Sequence, residues 1–215
     1  MNKTIYKENI LNLKRVQTSV NRNLFDGLNL DRNERVDLFS KKIQKEIKSK
    51  LSKHIFNATP DISSLYKNLA NYLKINVFNL YLTQGITEAI FQILFSYTKK
   101  NDEVIILDET YPMYKIFCQL RDVNYKTWSF KKNLELDLND LKKIITKRTK
   151  IIFLVNPNLP IEYEFNYRFK NEIYKICVKK KILLVYDEAY YNFGSKTEIN
   201  NAIKKKKYVR SENIF

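Results

Sequence analysis

The stretch Lys150-Ile151-Ile152-Phe153-Leu154-Val155-Asn156-Pro157-Asn158-Leu159-Pro160 sets a short apolar run directly against an asparagine–proline turn. A run of this length with no polar face suits a strand covered on both sides, as in a parallel sheet. The same alternation repeats on either side of it. Upstream, EVIIL (103–107) precedes helical spacing that starts at Pro112. YKTWSF (125–130) then precedes a helical pattern through Leu138, Leu141 and Ile145. Downstream, a helical stretch around 166–180 leads into ILLVYDE (182–188). Strands alternating with amphipathic helices make βαβ units. The expected class is therefore α/β, a three-layer α/β/α arrangement around a mainly parallel sheet. Ahead of this block, Phe39, Ile43, Ile47 and Leu51 predict a helix over 40–52. Leu65, Leu69, Tyr72 and Leu73 predict another that starts at Asp61. The chain thus divides into residues 1–80, an arm with two helices, and a larger domain over 81–215.

Composition narrows the function. The chain has 215 residues and is 44% hydrophobic and 13% aromatic, enough apolar material to exclude a disordered protein. Its net charge is 39 − 23 = +16, which invites a nucleic-acid reading. However, Lys, Asn and Ile dominate while Gly numbers 3, the bias of AT-rich coding sequence. Most basic residues are dispersed, and only Lys204–Lys207 forms a block. With no finger or RRM signature, nucleic acid is not expected as the partner. Cys118, Cys177 and the lone His54 build neither a disulfide framework nor a metal site. No leader is legible, and no apolar run is long enough for a membrane span. A cytoplasmic protein with no membrane partner is expected.

In such sheets ligands sit at the carboxyl ends of strands, so the residues after each run carry the interest. Thr83-Gln84-Gly85-Ile86-Thr87-Glu88-Ala89 opens a helix, where Gly85 lets a phosphate approach free N–H groups. A plain turn would read the same way. Asp108-Glu109-Thr110-Tyr111-Pro112-Met113-Tyr114 offers an aromatic face to a planar ring, or else packs its helix onto the sheet. Asn158 in the turn after KIIFLV can hydrogen-bond a ligand oxygen, or the turn is simply braced by proline. Asp187-Glu188-Ala189-Tyr190 ends the most hydrophobic strand. A carboxylate there is costly unless paired, which implies a cationic partner. An N-cap or structural ion pair would also explain it.

Together these segments supply a phosphate cup, a ring stacker, an asparagine and a buried aspartate, the parts that hold pyridoxal phosphate. Their order and spacing resemble fold type I pyridoxal-phosphate aminotransferases of class I/II, the histidinol-phosphate branch above all. That family reads G-[ST]-[DT]-E-A, P-T-Y-x-x-Y, N-P-N-N-P-T-G and D-E-A-Y at these places. LNLDRNER (28–35) resembles its L-x-x-N-E segment at Asn33-Glu34. The resemblance covers residues 28 to 215. It implies that Gly85, Ile86 and Thr87 contact the cofactor phosphate and that Tyr111 stacks on the ring. Asp187 would pair with the ring nitrogen and Tyr190 with the ring oxygen, Asn158 would stand in for the family's asparagine, and Asn33 would meet the substrate. It further implies an amino donor and a 2-oxo acid as small-molecule substrates, and a homodimer.

The departures are specific. Leu159 stands where the family places the asparagine before P-T-G, and Ile161-Glu162 replace Thr-Gly. The tyrosine lent across the family's dimer should fall near Phe56-Asn57 and is missing. Val209–Phe215 resembles the segment that leads to T-x-S-K, so the Schiff-base lysine is expected beyond the C-terminus, with no catalytic residue in these 215. Ser195-Lys196 repeats the dipeptide, but in a loop where the family varies. The chain thus reads as the N-terminal part of an aminotransferase, inactive in isolation. The other reading is a non-catalytic remnant that serves as a binding module.

Overall fold

The computed structural model of the chain describes residues 37–51, 57–194 and 197–206, together with Leu13, Asn33 and Arg35. They fall into two compact units that meet in sequence at Leu80 and Tyr81. In the first unit, α1 (Lys41–Ser49) is capped by Ser40, whose Oγ accepts from the Ile43 N–H at 3.4 Å. Its apolar stripe of Phe39, Ile43, Ile47 and Leu51 is exposed. The helix ends at Ser49 rather than running to 52. The second helix, α2 (Ser63–Leu73), starts beside Asp61, whose carboxylate accepts from the Ser63 N–H at 2.9 Å.

The second unit opens with α3 (Gly85–Tyr97) and continues through β1 (Glu103–Leu107), α4 (Met113–Leu120), β2 (Asn124–Trp128) and α5 (Leu138–Ile144). It then runs through β3 (Thr149–Val155), α6 (Tyr167–Lys180), β4 (Leu183–Asp187) and α7 (Ile199–Lys206). The four strands form one parallel sheet in the order β2-β1-β3-β4. Each expected strand is present, shifted by at most two residues at an end. The last helix, α7, was not legible, because its run of lysines reads as a solvated basic block.

Alternation along the strands sorts the core onto two faces. Val104, Ile106, Ile151, Phe153 and Val155 pack against Ile90 and Leu94 of α3 and Tyr114 and Cys118 of α4. Ile105, Leu107, Ile152 and Leu154 pack against Leu141 of α5 and Ile173 and Cys177 of α6. These are the three expected layers. Burial pushes the thiols of Cys118 and Cys177 up to about 12, so both are inert packing.

The order of the strands fixes where a ligand can sit. From β1 the chain passes over one face to β2, then returns across the other face to β3. The direction reverses between β1 and β3, and the crevice at their carboxyl ends is the switch point of the sheet. The opposite edge of β1 is closed by charge. Glu103, 1% exposed, meets Arg148 Nη2 at 2.6 Å and Lys126 Nζ at 3.2 Å, and accepts from Thr146 Oγ1 at 2.7 Å.

Candidate functional site

The loops after β1 and β3 flank the switch point, and one side chain ties them together. Asn158 is fully buried and donates its Nδ2–H to the Glu109 carbonyl at 2.8 Å. Its own backbone exchanges two hydrogen bonds with Tyr163, at 2.8 and 3.2 Å. Among the described residues the Oδ1 atom of Asn158 has no hydrogen-bond partner. Nearby, Asn156 accepts from the Phe165 N–H at 2.8 Å, and its own N–H donates to the Asp187 carbonyl at 2.9 Å. These contacts hold the turn against the ends of β3 and β4 and the loop after β1. Glu162 sits at φ 56°, a left-handed conformation that favours glycine, at the place where the family has its glycine.

Asp187 ends β4 in register with Val155, so its side chain shares the face of Val185 and α4. It is 5% exposed. Its Oδ2 accepts from the Tyr114 hydroxyl at 2.6 Å and its Oδ1 from the Ala189 N–H at 3.0 Å. Among the described residues its donors are thus a neutral phenol and a backbone N–H, and the charge-assisted O–H···O bond offsets part of the burial cost. Tyr114 is itself fully buried, with its ring 4.9 Å from Phe153. Its burial, together with the Asp187 charge, pushes the phenol well above its ordinary range.

The cup lies at the start of α3. Gly85 has φ 76°, with open space where a side chain would project. Its N–H donates to the Thr83 carbonyl at 2.8 Å, and Glu88 reaches back to accept from the Gln84 N–H at 2.6 Å. The N–H groups of the first helical turn have no partner within the helix. Ile86 borders this opening at 37% exposure. The Thr87 hydroxyl lies 3.1 Å from the Tyr111 hydroxyl, which brings together the residues expected to cup the phosphate and to stack on the ring. Tyr111 is 41% exposed.

Tyr190 follows Asp187 by three residues and leads into a short 3-10 turn at Tyr191–Phe193, its ring 6.3 Å from Phe193. Gly194 then packs on the turn after β3, since a Cβ there would lie 3.2 Å from Pro157. Leu159 is half-buried in that turn. Asn33 is exposed and belongs to the separate unit that ends at Leu80. Phe56, Ser195, Lys196 and Val209–Phe215 lie outside the described residues.

Sequence reasoning missed two links, Tyr114 to Asp187 and Thr87 to Tyr111. Neither is announced by spacing along the chain, since each joins residues far apart in sequence. A groove of about 520 Å³ lies at the amino end of β1 and β2, among Lys100, Gln119 and Tyr125. It contains none of these residues and is a surface furrow away from the switch point. Among the described residues no cluster of metal-ligating side chains occurs, and no helix is long and apolar enough to cross a membrane.

Comparison with known proteins agrees with this arrangement. The profile of the family "Aminotransferase class I and II" matches residues 25–211. A histidinol-phosphate aminotransferase of Pelagibacter ubique is 29% identical over 170 residues, 77% of this chain and 46% of its own length. The alanine aminotransferase of Pyrococcus furiosus superposes with a TM-score of 0.59 at 25% identity, over 67% of this chain and 38% of that one. A PLP-bound putative aminotransferase of Clostridium difficile has the same TM-score at 19% identity, over 68% and 39%. The chain spans about half the length of the curated relatives it matches. A match across most of the chain, on the fold that relatives of known structure share, places it in the class I and II aminotransferase family, whose members use pyridoxal phosphate.

Proposed function

We propose that these residues form the cofactor-binding part of a pyridoxal-phosphate aminotransferase of the histidinol-phosphate type. Such an enzyme moves an amino group between an amino acid or amino-alcohol phosphate and a 2-oxo acid. The observation that carries the reading is Asp187, a buried carboxylate at the carboxyl end of a central parallel sheet with no ion pair among the described residues. When bound, the cofactor acts as an electron sink for carbanion chemistry.

The chain's own groups have separate tasks in this reading. Gly85, Ile86 and the Thr87 hydroxyl hold the phosphate at the start of α3, where the helix dipole favours an anion. The open space above Gly85 suits such a guest. Tyr111 supports one face of the ring. Asp187 keeps the ring nitrogen protonated by charge pairing. Tyr190 donates to the ring oxygen. Asn158 stands in for the family's asparagine with its second N–H, since the first is committed to Glu109. Asn33 meets the substrate, and the active unit is a homodimer in the cytoplasm.

Within these 215 residues the cofactor is expected to be held reversibly and without turnover. A second reading, a binding module with no catalytic role, is favoured by Leu159 standing in place of a hydrogen-bonding asparagine. Equilibrium dialysis against pyridoxal phosphate tests the main reading. Wild type should bind, and Asp187→Ala should bind at least about a hundredfold more weakly, the loss of a buried charged partner. Borohydride treatment of the 215-residue chain should leave no cofactor on Lys196. Equal affinities for wild type and Asp187→Ala, or a labelled Lys196, would refute this assignment of roles.

A further inference from the structure

Building on the aminotransferase reading, we propose that Tyr114 is a positioning residue, whose hydroxyl fixes the Asp187 carboxylate in one orientation for a cationic ring nitrogen. An aspartate at a strand end has free rotation about two side-chain bonds unless something holds it. Here two donors do so, Tyr114 at Oδ2 and the Ala189 N–H at Oδ1. An ionised carboxylate has about four lone-pair sites, so each oxygen keeps one site for a further donor. The Ala189 contact is local to the chain turn and restrains only one oxygen. The tyrosine therefore sets the plane of the group.

Packing gives the phenol this authority. Tyr114 is fully buried, in the first turn of α4, and its ring lies against Phe153 of β3. Its oxygen thus reaches across β3 to the end of β4 from a fixed base. Burial, and then the neighbouring charge of Asp187, raise its ionisation well out of the working range, so its O–H stays available to donate. The same turn of chain carries Tyr111, partly exposed and held by Thr87 at 3.1 Å. One structural unit therefore places the ring stacker on the open side and the carboxylate holder on the buried side. A shift of α4 would move both together.

The test uses Tyr114→Phe, which removes one oxygen and keeps the packing. Carbon-13 NMR of the Asp187 carboxyl in the unliganded chain is read first. At neutral pH the carboxyl resonance should move in the variant, because the carboxylate loses the Tyr114 hydrogen bond. Pyridoxal-phosphate affinity should fall about tenfold, in the range of hydrogen bonds to charged groups. In an Asp187→Asn background the same change should weaken binding no further, which a merely structural role would not predict. An unchanged Asp187 carboxyl resonance, an unchanged affinity, or full additivity with Asp187→Asn would overturn the proposal. If wild type takes up no cofactor, the aminotransferase reading fails and the carboxyl resonance alone decides the role of Tyr114. Should the phenylalanine variant not fold, tyrosine carbon-13 NMR of wild type and Asp187→Asn replaces it. Tyr114 should then ionise at lower pH in the asparagine variant, and no change would count against the proposal.

Discussion

Two carboxylates are buried at opposite edges of the same sheet, and they are treated differently. Glu103, at the amino edge, receives two cations and a hydroxyl. Burial pushes its carboxyl up, but the bonds from Thr146, Lys126 and Arg148 and the charge of Lys126 outweigh this and hold it below its usual value. Asp187, at the carboxyl edge, receives a phenol and one backbone N–H, with no cation among the described residues. The difference teaches how to tell structure from site. A buried charge whose partners are complete stabilises the fold and has nothing left to offer. One whose partners are neutral and incomplete, as at Asp187, keeps acceptor sites free, which the proposed reading fills with a cationic guest.

That contrast can be broken by substitution. Asp187→Ala carries the largest expected effect, the hundredfold loss of cofactor affinity, while loss of the Tyr114 bond is offset by removal of a costly buried charge and leaves unfolding free energy changed by about 1 kcal/mol. Glu103→Gln should do the reverse. It weakens the bonds to Lys126 and Arg148 and should cost about 2 kcal/mol in urea denaturation. The figure is smaller than for a fully enclosed pair because the Arg148 side chain is 64% exposed. Cofactor affinity should not change. If Glu103→Gln weakens binding as much as it weakens folding, the two edges are not independent.

The third test concerns the turn beside Asp187. Leu159→Asn restores a hydrogen-bonding side chain where the family has one, and should strengthen pyridoxal-phosphate binding by up to about tenfold. Dialysis reads the change directly. No gain would mean that the turn presents residue 159 elsewhere, and that Tyr190 alone serves the ring oxygen.

The layers were legible because apolar runs such as EVIIL and KIIFLV are long enough to be strands and too short to be helices. The alternation of Ile105 and Leu107 with Val104 and Ile106 then assigns the two faces without further information. What could not be read was which polar atoms meet. Asp187 visibly needed a partner, yet nothing in a linear pattern says that a residue 73 positions earlier supplies it. Likewise Asn158 was legible as an amide at a strand end, while its commitment to Glu109 depends on how two loops approach across the switch point. Glycine scarcity hid the turns as well. Lys74, Lys181 and Glu162 occupy left-handed positions that glycine would have announced.

The smallest expected effect is in acid, and it sharpens the contrast from the side of Glu103. Its folded-state ionisation lies below the ordinary value of 4.5. The stabilisation linked to it is therefore fully present above that pH, and is lost as pH falls through the lower, folded-state value. Asp137 is also held low, by the Lys131 hydrogen bond first and the Asn139 N–H second, and Asp61 by its bonds with Ser63. Wild type should thus lose stability on acidification below about pH 4.5, and Glu103→Gln should lose less, keeping only the slope due to Asp137, Asp61 and the remaining carboxylates. Urea titrations at a series of pH values read the two slopes. Identical slopes would mean that the Glu103 cluster gives up its proton no differently in the folded and unfolded chains. The amino edge would then be held by packing rather than by charge, and the contrast with Asp187 would lose its electrostatic basis.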